Sequence, residues 1–516
     1  MEKHGEMPGT ERGVAVMKIQ TLLVAFFSVL MSCLPLPAGA AGGTDSLPPA
    51  AASSQVLATE WRPRIDALVR PLIETERSAG IVVGVYHQGR RFFAGYGKTD
   101  LEGGRLPDEK TIFEIGSLTK VFTTLALARA VTDHGLRLAT PVKDLLPPEA
   151  KIPRHGTREI TLLDLATHYS GLPRMPENFR PADPVDPYRD YTRRELYAFL
   201  ADYRLPRAPG ATYEYSNLGA GLLGHALSLR SGKSYEQLIL TGICRPLSLT
   251  DTSFVVPPRD LPRFAPGYGP DLNRVPHWQF DILAPAGALR STAADLLKFA
   301  VANMKAPGAW GRAMTLAQTP RFPTPLPEMR TGLGWLVIPK GKYNIVWHNG
   351  GTFGFSSFLA FSREKRTAVV VLRNTASYMN GHTDRLGVDI MKCLLGLPVE
   401  PMSLEKEIPV AGETLDAYAG NYAEVKRPSG PQPPGTGELR ISRRGNRLVM
   451  AEGSDEEIIL YPAAPAEFFS KGAPVKARFV RESGKEIVIF ILSGTEEERW
   501  VKKAGGEQPP APSPGR

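Results

Sequence analysis

Cysteine is nearly absent: the chain carries three in 516 residues. Cys33 lies in the N-terminal leader discussed below, so a mature chain would retain Cys244 and Cys393. Two cysteines so far apart cannot staple a small scaffold, and the sequence leaves open whether they bond. Histidine is sparse too, at nine, and His87, His155 and His168 are scattered without metal-ligand spacing. No metal and no cofactor is therefore expected. Lysine and arginine outnumber aspartate and glutamate by 62 to 53, a net charge of +9. There is no long basic block, however, and no interleaving of basic with aromatic residues. The charge implies general attraction to anionic surfaces and gives no case for nucleic acid.

A membrane-spanning run is also lacking. Leu22–Met31 is apolar but too short to cross a bilayer, which takes about 20 residues. It follows Lys18 and leads into the small residues Pro37-Ala38-Gly39-Ala40-Ala41, the pattern of a secretory signal cleaved after Ala40. Export to a bacterial periplasm is expected. Met17 is an alternative start, and Leu30-Met31-Ser32-Cys33 loosely matches a lipoprotein box, so anchoring through a lipidated Cys33 is the alternative localisation.

What is present centres on Gly116-Ser117-Leu118-Thr119-Lys120. Two β-rich apolar stretches, Ile81–His87 and Arg91–Gly97, precede it, and the alanine-rich Val121–Val131 follows at helical spacing. The spacing predicts Ser117 at the start of a buried helix, able to act as its N-cap, with Lys120 one turn on along the same face. A serine hydroxyl is a poor nucleophile until a neighbour takes its proton, and an amine can assist. A helix N-terminus also favours the negative charge of an oxyanion. Ser-x-x-Lys recurs at Ser362–Lys365 and Ser403–Lys406, but neither opens a long apolar helix.

Further along, Gly43–Thr59 reads as a loose linker and Trp61–Ser78 as a helix. The Ser117 helix should stop near His134-Gly135, and Thr161-Leu-Leu-Asp164 is a capping box opening a helix over Leu162–His168. Glu177–Tyr191, rich in proline and aspartate, predicts a long surface loop at the rim of a site. Arg193–Tyr203 should be helical, and Tyr215-Ser216-Asn217 precedes the apolar helix Leu218–Leu229. A further helix starts at Ser291–Asp295. Thr331–Ile338, Asn344–His348, Phe355–Phe361 and Ala368–Arg373 read as strands, and Leu386–Leu397 as the closing helix. His348-Asn349-Gly350-Gly351-Thr352 lies between two of these strands, where glycines let backbone N–H groups approach a ligand. The tripeptides are cheap alone: His87-Gln88-Gly89 and Tyr378–Asn380 repeat them elsewhere.

Ser117-Leu-Thr-Lys120, Tyr215-Ser-Asn217 and His348-Asn-Gly350, in that order, resemble the penicillin-recognising serine hydrolases: class C β-lactamases, D-alanyl-D-alanine carboxypeptidases and related esterases. Leu163–Pro173, Gly332-Leu-Gly-Trp335 and His348–Thr352 strengthen the likeness, which covers roughly Trp61–Gly396 and is greatest for the AmpH-like carboxypeptidase/endopeptidase branch. The resemblance implies an α/β (α+β) fold: an antiparallel sheet flanked by helices, with an all-helical subdomain. It implies Ser117 as the nucleophile of an acyl-enzyme. Lys120 would assist its deprotonation, directly or by holding Tyr215 as a phenolate. Tyr215 would be the general base and Asn217 would bond the substrate amide. His348 and Gly350 would bind substrate, and the Ser117 and Gly351 N–H groups would form the oxyanion hole. Where β-lactamases usually carry lysine, this chain has His348, mostly uncharged at neutral pH. Slow penicillin acylation with poor turnover is expected.

Beyond it, short β-like runs from Leu439 to Leu492 with regular turns predict a small antiparallel barrel. It resembles the lipocalin-like barrel appended to many such hydrolases. The organisation is thus a signal over 1–40, a linker over 41–59, a hydrolase domain over 60–400, a barrel over 405–503 and a disordered tail over 504–516. Peptidoglycan-type peptides and β-lactams are the expected partners. An esterase on the same scaffold and a non-catalytic binder of cell-wall fragments are the alternatives.

Overall fold

Strands that read as unbroken apolar runs must be covered on both faces. Ser356–Ser362 and Thr367–Arg373 are two such strands, buried at every residue. They lie at the centre of the sheet in the computed structural model, which describes residues 50–377, 381–425, 438–452, 457–482, 486–493 and 496–503. The leader, the Cys33 alternative, Tyr378–Asn380, the Pro428–Thr436 insertion and the tail lie outside the described residues. Two compact units divide the chain, one ending at Leu404 and the other beginning at Glu405.

The main sheet of the first unit has seven antiparallel strands: β1 (Gly80–His87), β2 (Arg90–Gly97), β3 (Arg330–Thr331), β4 (Leu336–Lys340), β5 (Tyr343–Gly351), β6 (Ser356–Ser362) and β7 (Thr367–Arg373). Their order is β2-β1-β7-β6-β5-β4-β3. The first hairpin and the last strands therefore meet in mid-sheet, with Val83 opposite Val371. Helix α1 (Ala50–Glu74) begins eleven residues before the expected start at Trp61, inside the stretch read as linker. Its Ala-Ala-Ala-Ser-Ser-Gln opening has no breaker, so helix propagates back through small residues.

Four more helices matter for the site: α2 (Thr119–His134), α3 (Asn217–Ser231), α4 (Ala293–Lys305) and α5 (His382–Leu394). α2 stops at Gly135, which takes the left-handed conformation (φ 66°) of a helix C-cap. The capping box at Thr161 is present and opens a helix over Leu162–Ala166, shorter than expected. The helix expected at Ser291 starts at Ala293, because Ser291 belongs to a short strand, Arg290–Thr292, paired with Ile112–Glu114. The two faces of β6 serve different layers. Phe358 presses on α5, where a Cβ added to Gly387 would lie 2.1 Å from its ring. Leu359 and Phe361 join the main core with α2, α3 and α4. Cys244 and Cys393 are free thiols. No helix among the described residues is long and apolar enough to cross a membrane.

The second unit is a closed barrel of eight antiparallel strands between Gly420 and Lys502. Its strands Gly420–Glu424, Glu467–Phe469 and Glu496–Lys502 were not legible as β runs. Tyr422, Leu439, Ile441, Leu460, Phe479 and Trp500 form one buried cluster with Leu415 of the preceding helix Gly412–Tyr418. Large apolar side chains thus fill this core.

Candidate active site

The turn before α2 is pinned from two sides. Ile115 N–H donates to the Leu289 carbonyl at 3.0 Å, and the Ser357 hydroxyl of β6 donates to the Ile115 carbonyl at 2.8 Å. Gly116 then takes a left-handed conformation (φ 49°), and a Cβ there would lie 2.5 Å from the Gly351 nitrogen. A Cβ on Gly350 would lie 2.1 Å from the Ile115 oxygen and 2.8 Å from the Ser117 nitrogen. Only glycine at these positions lets the turn lie directly on the end of β5. The Ser117 and Gly351 backbones are brought together in this way.

Ser117 is not the N-cap that the sequence implied. Gly116–Leu118 forms a 3-10 turn, and Leu118 precedes α2 without a side-chain cap. The tight turn places residues three apart on one side. The Ser117 hydroxyl is thereby left for Lys120, whose Nζ stands 2.9 Å from it.

Lys120 is 1% exposed. Its Nζ donates to Asn217 Oδ1 at 2.9 Å and to the Ala286 carbonyl at 2.7 Å. Burial, with the nearby Arg174 charge, holds its pKa well below the usual lysine value. A neutral amine has two N–H donors and one lone pair. When the amine is neutral, the two carbonyl oxygens can take both donors, and the lone pair is then left for the Ser117 hydroxyl proton.

Tyr215 comes from the extended residues just before α3. Ser216 caps that helix: its Oγ accepts from Gly219 N–H at 2.8 Å and donates to the Pro173 carbonyl at 2.6 Å. The Tyr215 ring packs on His168 at 4.4 Å, with Lys120 Nζ 4.9 Å and Arg174 Cζ 5.1 Å from its centroid. Burial pushes its phenol up to about 12, partly offset by a hydrogen bond with Ser117 and by the Arg174 charge.

His348 lies in β5 opposite Leu359, 2% exposed, with its ring 6.3 Å from that of Tyr215. Its Nδ1 lies 2.5 Å from the Asn349 carbonyl and must be the donor, which leaves Nε2 as an acceptor. Burial lowers its pKa to about 3, so it is neutral in the physiological range. Asn217 is engaged at both ends of its amide. Oδ1 accepts from Lys120, while Nδ2 donates to Tyr188 Oη at 3.1 Å and lies 3.5 Å from Met175 Sδ.

Tyr188 was missed in the sequence because it belongs to the proline- and aspartate-rich stretch read as rim loop. That loop is partly built in. Asp186 accepts from Gln279 N–H at 2.6 Å, and Trp278 Nε1 donates to the Val185 carbonyl at 3.1 Å. Tyr188 stacks on Phe280 at 4.7 Å and meets Trp278 at 5.0 Å, giving the site an aromatic wall. Glu114, three residues before Ser117, supports the wall by accepting Trp278 N–H at 2.9 Å and pairing with Arg290 at 3.5 Å. His168 was likewise unassigned. Its Nδ1 accepts Ser216 N–H at 3.1 Å, and burial holds its pKa well below the ordinary value.

Ser117, Lys120, Tyr215, Asn217, His348, Gly350 and Gly351, from three separate stretches, therefore converge at one place. The Beta-lactamase family model matches residues 65–389. The D-alanyl-D-alanine-carboxypeptidase/endopeptidase AmpH of Escherichia coli K12 is 29% identical over 326 residues, 60% of this chain and 83% of that protein. A beta-lactamase of the same organism is 27% identical over 344 residues, 59% of this chain and 86% of its own. The class C beta lactamase structure from Rhodobacter sphaeroides superposes with a TM-score of 0.56 at 26% identity, covering 66% of this chain and all of that one. Another class C beta lactamase gives a TM-score of 0.58 at 24% identity, over 65% of this chain and 99% of its own, a likeness of fold. The chain belongs to the beta-lactamase family and is a serine hydrolase.

Proposed function

We propose that this chain is an exported hydrolase that forms an acyl-enzyme on Ser117 and acts on D-alanyl-D-alanine-type peptides and related amides. The observation that carries the reading is the buried Lys120 amine, 2.9 Å from the Ser117 hydroxyl and held in place by Asn217 Oδ1 and the Ala286 carbonyl. Lys120 Nζ takes the Ser117 proton as Oγ attacks the carbonyl carbon. The oxyanion is received by the Ser117 and Gly351 N–H groups at the start of α2. Tyr215, kept protonated, passes a proton to the departing nitrogen and is reprotonated from Lys120. In deacylation the same groups run in reverse on a water. Tyr215 is therefore a proton shuttle, and Lys120 rather than a phenolate is the base. Asn217 holds Lys120 and, through Tyr188, the aromatic wall; the substrate lies against both. Export rests on the leader pattern alone.

An esterase on the same scaffold is the second reading. The neutral His348 favours it, because the third motif then offers no cation to an acidic substrate. Intact mass after incubation with a fluorescent penicillin tests the nucleophile, on the protein and on Ser117→Ala. A stable adduct on the first alone is expected. Faster release of D-alanine from an acyl-D-Ala-D-Ala peptide than of acid from a short acyl ester supports the peptidase, and the reverse supports the esterase. A Ser117→Ala variant that still forms the adduct would overturn both.

A further inference from the structure

His348 leaves the third motif without charge, yet a cation stands over the site from another element. Arg174 follows a turn in which His168 (φ 62°) and Gly171 (φ 76°) adopt left-handed backbone. Its carbonyl accepts the N–H groups of Asn217 at 3.0 Å and Leu218 at 3.4 Å, so its main chain is clamped to the start of α3. From that mount its guanidinium reaches to 5.1 Å from the centroid of Tyr215, whose hydroxyl bonds Ser117. Its charge acts on Lys120, His168 and Tyr188 as well. Arginines nearby are neutralised: Arg290 pairs with Glu114, Arg158 with Asp164 and Arg207 with Glu214. Arg174 is exposed, and among the described residues its side chain has neither a carboxylate partner nor a hydrogen bond.

We propose that Arg174 is the carboxylate-recognition residue of this site, binding the terminal carboxylate of a peptide or β-lactam whose carbonyl lies at Ser117. This rests on the acyl-transfer reading above. A guanidinium is always charged and presents a planar fork that fits a carboxylate with two parallel hydrogen bonds. Contact with the Tyr215 face orients that fork beforehand, so less freedom is lost on binding. Recognition thereby moves from the strand to the turn that docks on the start of α3.

The test uses the full chain carrying Ser117→Ala, which binds without reacting. Titration calorimetry compares N-acetyl-D-alanyl-D-alanine with its C-terminal amide. The expected result is about tenfold tighter binding of the carboxylate form, the scale of a charge-assisted pair. Adding R174Q should reduce that preference to about one, and R174K should keep part of it, because the charge remains but the fork is lost. No preference in Ser117→Ala, no binding of either ligand, or a preference that survives R174Q overturns the assignment. Turnover is measured separately on the unmutated chain. Binding preference without turnover keeps Arg174 and removes the acyl-transfer reading; turnover without preference does the opposite.

Discussion

Tyr215→Phe separates the two groups that could take the Ser117 proton. The substitution removes the hydroxyl and keeps the ring, with its packing on His168 at 4.4 Å. With the phenol held at about 12, roughly one molecule in 10⁵ carries a phenolate at pH 7. Forming the phenolate at pH 7 would therefore cost about 7 kcal/mol, at about 1.36 kcal/mol per pK unit. Burial shifts Lys120 the other way, toward its neutral form. The shuttle role predicts an asymmetry between substrates. An amide nitrogen must be protonated as it leaves, so peptide turnover should fall about 10²- to 10³-fold in Tyr215→Phe. An activated ester leaves without a proton, so its acylation rate should fall less than about tenfold. Single-turnover rates on both substrates, from pH 6 to 10, provide the measurement. The unmutated protein should show an ester rate that levels off below the ordinary lysine pKa, since burial lowers that of Lys120. A rate that climbs tenfold per pH unit up to pH 10, with Tyr215→Phe as inert to esters as Ser117→Ala, would refute Lys120 as the base.

Three further outcomes are expected. Gly350→Ala places a Cβ 2.1 Å from the Ile115 oxygen, so β5 and the Ser117 turn must separate. Acylation should fall at least about 100-fold with a lowered melting temperature, and near-normal activity would show that the close approach is dispensable. Tyr188→Phe removes one hydrogen bond to Asn217 and should slow acylation about three- to tenfold, whereas Tyr188→Ala also opens the wall and should destabilise the fold. Equal kinetics and equal urea midpoints for the two variants would sink this. Asp384 accepts from Asn349 Nδ2 at 2.6 Å, and burial raises its carboxyl to about 7. A raised carboxyl binds its proton more tightly folded than unfolded, so its contribution is full below about pH 4 and is lost as pH rises through 7. Asp384→Asn should therefore gain on the unmutated chain by up to about 1.4 kcal/mol per pH unit between pH 4 and 7. The difference is the informative quantity, since the lowered pKa values of His168 and His348 tilt overall stability the opposite way. A difference independent of pH would rule out the raised carboxyl.

Much of the site was legible because its chemistry is local. Ser117 and Lys120 lie within one turn of chain, and Tyr215 and Asn217 lie at one helix start, so short motifs carry them and the order of the motifs gives the family resemblance. The residues that went unassigned act at long range. Arg174 and Tyr188 lie in loop and turn sequence whose composition predicts exposure, and His168 ends a stretch expected to be helical. They matter because the turn folds back onto α3 and the 177–191 loop packs against Trp278 and Phe280, contacts that no periodicity records. The barrel shows the same limit. Its longer strands alternate visibly, while Glu467–Phe469 is too short to carry a pattern and is a strand only because its neighbours pair with it.

By itself the sequence determined the family, the order of the three motifs, the two-unit pattern of helices and strands, and the substitution of histidine for lysine at position 348. These follow from residue identity and short-range period, which survive in one dimension. The tertiary structure decided protonation and charge. Lys120 becomes a candidate base, and Tyr215 a proton donor, through burial and hydrogen-bond partners drawn from Asn217, Ala286 and Ser117. The missing cation is supplied by Arg174 because a turn near residue 170 docks on the first residues of α3. Electric fields and desolvation depend on distances between groups far apart in the chain, and only the folded arrangement fixes those distances.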